Sequence, residues 1–193
     1  MRTLCVYCGA AAGVRPAYGE AAEALAGALA ERAMGLVYGG GSVGIMGILA
    51  DAALARGVSV TGVIPRHLHD LEVGHNGLTA MHIVGTMHER KALLAELSDG
   101  FLTLPGGLGS MEELFEAYTW GQLGLHPKPV GLLNVAGYYD PLLAFLDHTV
   151  AEGFVRPLHR GFLRSGAEVS PLLDAMATWV APPGVRWLDE PDR

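Results

Sequence analysis

The stretch over residues 98–120, SDGFLTLPGGLGSMEELFEAYTW, constrains the fold more than any other. It opens with a short apolar run, Phe101-Leu102-Thr103-Leu104. Asp99-Gly100 bounds the run before and Pro105-Gly106-Gly107 after, which reads as a strand buried in a parallel sheet. Leu114, Phe115, Tyr118 and Leu123 then recur at roughly helical spacing, so a helix is expected over 111–123. Gly106, Gly107 and Gly109 lie between strand and helix. Glycines let a backbone turn tightly and let a ligand approach it. A helix starting there points free N–H groups at the loop, a ready anion site. Ser110-Met111-Glu112-Glu113 also has the S-x-x-E spacing of a capping box, with Ser110 capping and Glu113 reaching back to the backbone.

The same alternation runs along the chain. Strands are expected at 4–7, 35–38, 58–64, 81–84, 101–104 and 130–133, with Phe162-Leu163 as a short edge strand. Helices are expected at 17–32, 43–55, 87–97, 111–123, 139–152 and 171–179. Strands alternating with helices predict a Rossmann-like α/β fold, a three-layer α/β/α sandwich around a mostly parallel sheet. One domain over 1–181 is expected, followed by a loosely attached tail over 182–193, rich in Pro, Gly and charge. Ligands of such sheets bind at the carboxyl ends of the strands, near a topological switch point. Three glycine turns stand at strand ends, at Gly9, at Gly39-Gly40-Gly41-Ser42 and at Gly106–Gly109. The first two are candidate phosphate or base loops. No acidic residue follows at the spacing of a dinucleotide fingerprint, which argues against NAD.

Composition removes several classes. The 193 residues carry a net charge of −7, which argues against a nucleic-acid groove. No apolar run is long enough to span a membrane. Met1-Arg2-Thr3 leads directly into the first strand, so no signal peptide is read and a cytoplasmic protein is expected. Cys5 and Cys8 form C-x-x-C, but Cys5 falls inside a strand, so two buried thiols are expected rather than a redox pair. The eight histidines are scattered, and no metal site is expected.

Arg90 and Lys91 fall near the start of a helix, where cations oppose the helix dipole. A bound anion would justify them, since arginine offers a planar fork to phosphate or carboxylate. The alternative is a solvated charge cluster paired with Glu89 or Glu96.

The loop and helix just described resemble the PGGxGTxxE motif of the LONELY GUY (LOG) family, the cytokinin riboside 5′-monophosphate phosphoribohydrolases. Further blocks fit: CVYCGA at 5–10, VYGGGSVGIMG at 37–47, GVIP at 62–65, TMHERKA at 86–92 and TWGQLGLHPKPVGLLNV at 119–135. Ser110 replaces the usual Thr and keeps the hydroxyl. Ala10-Ala11 stand where the family often has Ser. The resemblance implies that Arg90 and Glu113 are catalytic. It implies substrate contacts from Glu72, Lys91 and Thr119, and from Gly107, Leu108, Gly109, Ser110, Met111 and Glu112 in the loop and first helical turn. It implies hydrolysis of the N-glycosidic bond of an adenine-type nucleoside 5′-monophosphate, either AMP or an N6-substituted AMP, with no cofactor. The chemistry suits the residues, because a fixed carboxylate can stabilise a ribosyl cation and deprotonate the attacking water. A carrier of a nucleotide or molybdopterin-type ligand is the alternative, and it would need the cation but not the positioned acid. The family's older label, lysine decarboxylase-like, would need a Schiff-base lysine. Lys91 and Lys128 are the only lysines, and neither stands in a recognisable motif for it. Trp120, Leu123 and Leu125 around the central helix suggest the face of a homodimer.

Overall fold

Seven short strands, nearly all apolar, form one sheet, and its order fixes where a ligand can bind. The computed structural model describes residues 1–182, apart from the side chains of Glu72 and Val73. From residue 183 on, the expected tail lies outside the described residues. In chain order the elements are β1 (Thr3–Tyr7), α1 (Pro16–Glu31), β2 (Gly35–Tyr38), α2 (Gly44–Leu54) and β3 (Val60–Pro65). Next come α3 (Arg66–Leu68), which runs into a π-helical turn (His69–Val73), β4 (Ala80–Val84), α4 (Met87–Glu96), β5 (Gly100–Thr103) and α5 (Leu108–Gln122). β6 (Val130–Leu133), a 3-10 turn (Val135–Gly137), α6 (Asp140–Ala151), α7 (Pro157–Arg160), β7 (Leu163–Gly166) and α8 (Val169–Ala177) complete the described chain.

The sheet order is β4-β3-β2-β1-β5-β6-β7. Every strand pairing is parallel, a stricter arrangement than the mostly parallel sheet expected. The chain winds outward from β1 to β4, then crosses back to lay β5 on the other side of β1. The switch point is therefore between β1 and β5, and their carboxyl ends open a crevice. Alternation along β1 supplies both cores. Leu4 and Val6, with Cys8 just beyond the strand, face the layer containing α1, α2 and α8, while Cys5 and Tyr7 face the layer containing Leu114 and Tyr118 of α5. A strand buried on both faces is mainly apolar, as β1 and β5 are apart from Thr3 and the buried Thr103.

Three local features differ from expectation. α5 begins at Leu108, not Met111, with extended Gly107 before it. Ser110 is therefore inside the helix and makes no capping bond, so no capping box forms there. The segment from Arg66 to Val73 is helical, where the sequence offered only a loop. β7 is four residues long and starts at Leu163, so Phe162 precedes it.

Candidate active site

A cavity of about 710 Å³ opens at the carboxyl ends of β1, β2 and β5. Its wall takes residues from all three glycine turns: Gly9, Gly39 and Gly41, and Gly106–Ser110. The turns fit because side chains are missing. Gly9 N–H donates to Pro105 O at 3.1 Å, joining the first turn to the third. A Cβ on Gly106 would collide with the Ser110 hydroxyl, and one on Gly39 would collide with Arg90 Nη2. Gly40 stays out of the wall. Its φ is +76°, and its carbonyl accepts from the His75 N–H at 2.9 Å. Ser42 is exposed and also outside the wall.

α4 carries the cations. The Thr86 hydroxyl accepts from the Glu89 N–H at 3.1 Å, and Glu89 Oε2 accepts from the Gly85 N–H at 2.7 Å. The T-x-x-E spacing thus caps α4 in the way the S-x-x-E spacing fails to cap α5. The cap aims the next residue, Arg90, across the end of β3. Arg90 Nε donates to Val63 O at 3.2 Å, and Nη2 lies 3.3 Å from Glu113 Oε1. Both side chains are nearly buried, 12% and 10% exposed. Lys91 turns the other way, to Glu112 Oε1 at 2.5 Å and Glu116 Oε1 at 2.9 Å.

Burial pushes the Glu113 carboxyl up to about 7, against the pull of the Arg90 guanidinium. Glu112 and Glu116 add to the rise, and Lys91 opposes it. The acid is thus held half-ionised near neutrality, where a general base works best. Cys8 lines the cavity, and Cys5 is fully buried within β1. Both are free thiols whose burial raises them, Cys5 to about 12, so neither is a ready nucleophile.

One wall is aromatic and was not foreseen. A left-handed pair, Ala136 and Gly137, turns the chain sharply after β6 and presents Tyr138. Its hydroxyl donates to Gly106 O at 2.7 Å, and its ring meets Tyr18 edge-on at 5.6 Å. Ile45, Met46, Ile64 and Leu68 add apolar surface. The signal for Tyr138 was there: Gly137-Tyr138 follows a strand at its carboxyl end, as the other loops do.

The fold thus brings together Arg90, Glu113, Gly9, Gly39, Gly41, Gly107, Leu108, Gly109 and Ser110. Among the described residues the wall does not include Lys91, Met111, Glu112 or Thr119. Thr119 is exposed three turns along α5. The side chain of Glu72, in the π-helical turn, lies outside the described residues. No three His, Cys, Asp or Glu among the described residues converge as a metal site would require.

Known proteins are similar to this chain in sequence and in fold. A family model described as possible lysine decarboxylase matches residues 46–176. A probable cytokinin riboside 5′-monophosphate phosphoribohydrolase of Oryza sativa subsp. japonica is 51% identical over 173 residues, covering 90% of this chain and 78% of that protein. The cytokinin riboside 5′-monophosphate phosphoribohydrolase of Rhodococcoides fascians is 50% identical over 160 residues, covering 82% and 81%. Among solved structures, the molybdenum cofactor carrier protein from Chlamydomonas reinhardtii superposes with a TM-score of 0.69 over 91% of this chain and 96% of its own. At 19% identity that likeness is one of fold. The family model spans most of the chain and the relatives are about half identical along it, so this chain belongs to the LONELY GUY (LOG) family.

Proposed function

We propose that this protein hydrolyses the N-glycosidic bond of adenine-type nucleoside 5′-monophosphates, releasing free base and ribose 5-phosphate. The substrate class is a cytokinin riboside 5′-monophosphate, AMP, or both. The observation that carries the reading is the Arg90–Glu113 pair, 3.3 Å apart, on the wall of a cavity that the start of α5 also lines.

Each part has work to do. The first N–H groups of a helix have no partner within it, and Leu108, Gly109 and Ser110, in the first turn of α5, line the cavity. They and the positive end of α5 suit a 5′-phosphate. The ribose then lies towards Glu113 and the base against the apolar and tyrosine walls. As the C1′–N bond breaks, its electron pair leaves with the base and positive charge grows on the ribosyl ring. Ionised Glu113 stabilises that charge and takes a proton from the water whose oxygen bonds to C1′, and that proton passes on to the departing base, which is released neutral. Arg90 holds the carboxylate in place and balances its charge.

The decarboxylase label fits the residues poorly. Lys91 is held by two carboxylates, and Lys128 Nζ donates to Ala95 O at 2.5 Å. Neither lysine is in the cavity wall. The same reading takes residues 1–181 as one hydrolase domain working as a homodimer in the cytoplasm. Unpaired, buried Cys5 and Cys8 suit a reducing compartment.

The test is product analysis with a nucleotide panel. AMP and N6-substituted AMP should yield free base, and the matching nucleosides should not. Each charge-assisted bond to phosphate is worth about 1.5–3 kcal/mol. Equal turnover of adenosine and AMP would remove the phosphate site from the reading. Tight nucleotide binding with no turnover would favour a carrier.

A further inference from the structure

Lys91 follows Arg90 in the chain, yet its ammonium group is absent from the cavity wall. Only 9% of its side chain is exposed. Its two partners, Glu112 and Glu116, flank Glu113 on α5. Three carboxylates therefore fall within about a turn of one helix, at spacings where like charges repel. The elements packed around Glu113 supply few other charges. Arg90 and Lys91 face it from α4, and Glu112 and Glu116 act along α5. β1 and the residue after it present Cys5, Tyr7 and Cys8, which burial keeps neutral.

We propose that Lys91 is a positioning residue: its ammonium group bridges Glu112 and Glu116, locks α4 to α5, and so holds Glu113 against Arg90 with the local charge balanced. This rests on the hydrolase reading and gives Lys91 a role other than direct contact with substrate. The two ion pairs fix the spacing between the helices that carry the reacting pair. They also neutralise two carboxylates that would otherwise favour the protonated form of Glu113.

The experiment compares pH profiles of kcat for the wild type, Lys91→Met, Glu112→Gln and the double variant, with the Kd for AMP measured alongside. Lys91→Met should move the midpoint of the acid limb up by about half a pH unit or more. Glu112→Gln should move it down. The double variant should return close to the wild-type midpoint, because the two groups act on Glu113 through one balance. Lys91→Arg keeps the charge and should keep the midpoint. AMP affinity of Lys91→Met should stay within about threefold of wild type, since no phosphate contact is lost. An unmoved midpoint with much weaker AMP binding would make Lys91 a substrate ligand and overturn the proposal. An unmoved midpoint with only a lower melting temperature would reduce it to packing and also overturn it. Should the wild type release no base from any nucleotide, the hydrolase reading fails by itself. Carbon-13 NMR of labelled glutamate carboxyls then still decides on Lys91: a Glu113 titration that moves in Lys91→Met supports the proposal, and one that stays put overturns it.

Discussion

At the scale of the residue, Glu113 is a group the fold holds at a cost. In the unfolded chain it loses its proton near 4.5, whereas in the folded protein it does so near 7. Between those values the folded state binds more protons than the unfolded one, so stability falls as pH rises through the window. Above it, the full penalty applies, about 3 kcal/mol at the upper end for such a shift. Glutamine mimics the neutral acid. Glu113→Gln should therefore melt higher than wild type at pH 8 and the same at pH 4, while kcat falls by about 10²–10⁴-fold. Thermal melts at both pH values and initial rates check this. Near-normal kcat, or a variant less stable at pH 8, would return Glu113 to a structural role. Its identity was legible in the sequence through the spacing from Gly106 to Glu113. Its burial was not, because that depends on α4 and β1 packing over it. Lys91 shows the same limit: the sequence places two adjacent cations, but only the helix packing decides that one faces the cavity and the other its neighbours.

At the scale of the element, the glycine turns matter for what they leave room for. Gly39 follows the last residue of β2, and Arg90 crosses the space where its side chain would be. Gly39→Ala should push the guanidinium away from Glu113 Oε1. The alanine backbone is unstrained there, since Gly39 is not among the positive-φ residues. The expected result is a loss of kcat of at least about tenfold, since a displacement of about 1 Å can cost 10²-fold. The melting temperature should change by no more than a few degrees. Wild-type kinetics from Gly39→Ala would mean that Arg90 can sit elsewhere and still serve. The sequence marked this loop as a ligand loop, but only the packing identifies Arg90 as what fills the space. Capping makes a similar point. Thr86–Glu89 and Ser110–Glu113 both carry the S/T-x-x-E spacing, and of the two only Thr86–Glu89 forms the cap. The helix that Ser110 should have capped already begins at Leu108, so Ser110 has turned inward beneath Gly106. Local pattern finds the helix but not its first residue. The helical segment after β3 was missed for another reason: it is short, and His67, His69 and Asp70 break any apolar period.

At the scale of the whole molecule, alternating strands and helices made the fold class legible, because each apolar strand needs cover on both faces. Strand order was not legible, since no residue near β5 records that its neighbour will be β1. Surface use is the remaining question at this scale. Phe115 on α5, and Leu123 and Leu125 just beyond it, are 36%, 46% and 68% exposed, beside half-buried Trp120. A stable two-fold interface takes about 800 Å² from each copy. An isologous contact uses one patch twice, so a single apolar stripe along α5 can serve both subunits. The protein should therefore scatter light at twice its 20.3 kDa chain mass at micromolar concentration. Replacing Leu123 and Leu125 together by Asp should shift the population towards monomer, because each copy would bring two unpaired charges into an apolar contact. Glu113 belongs to the helix that carries this face, and Lys91 ties that helix to α4. If the dimer braces α5, the monomeric variant should lose kcat as well as mass. A wild-type monomer at 20.3 kDa would sink the dimer. A monomeric double variant with full activity would leave the dimer standing and show that α4 and the sheet hold α5 unaided.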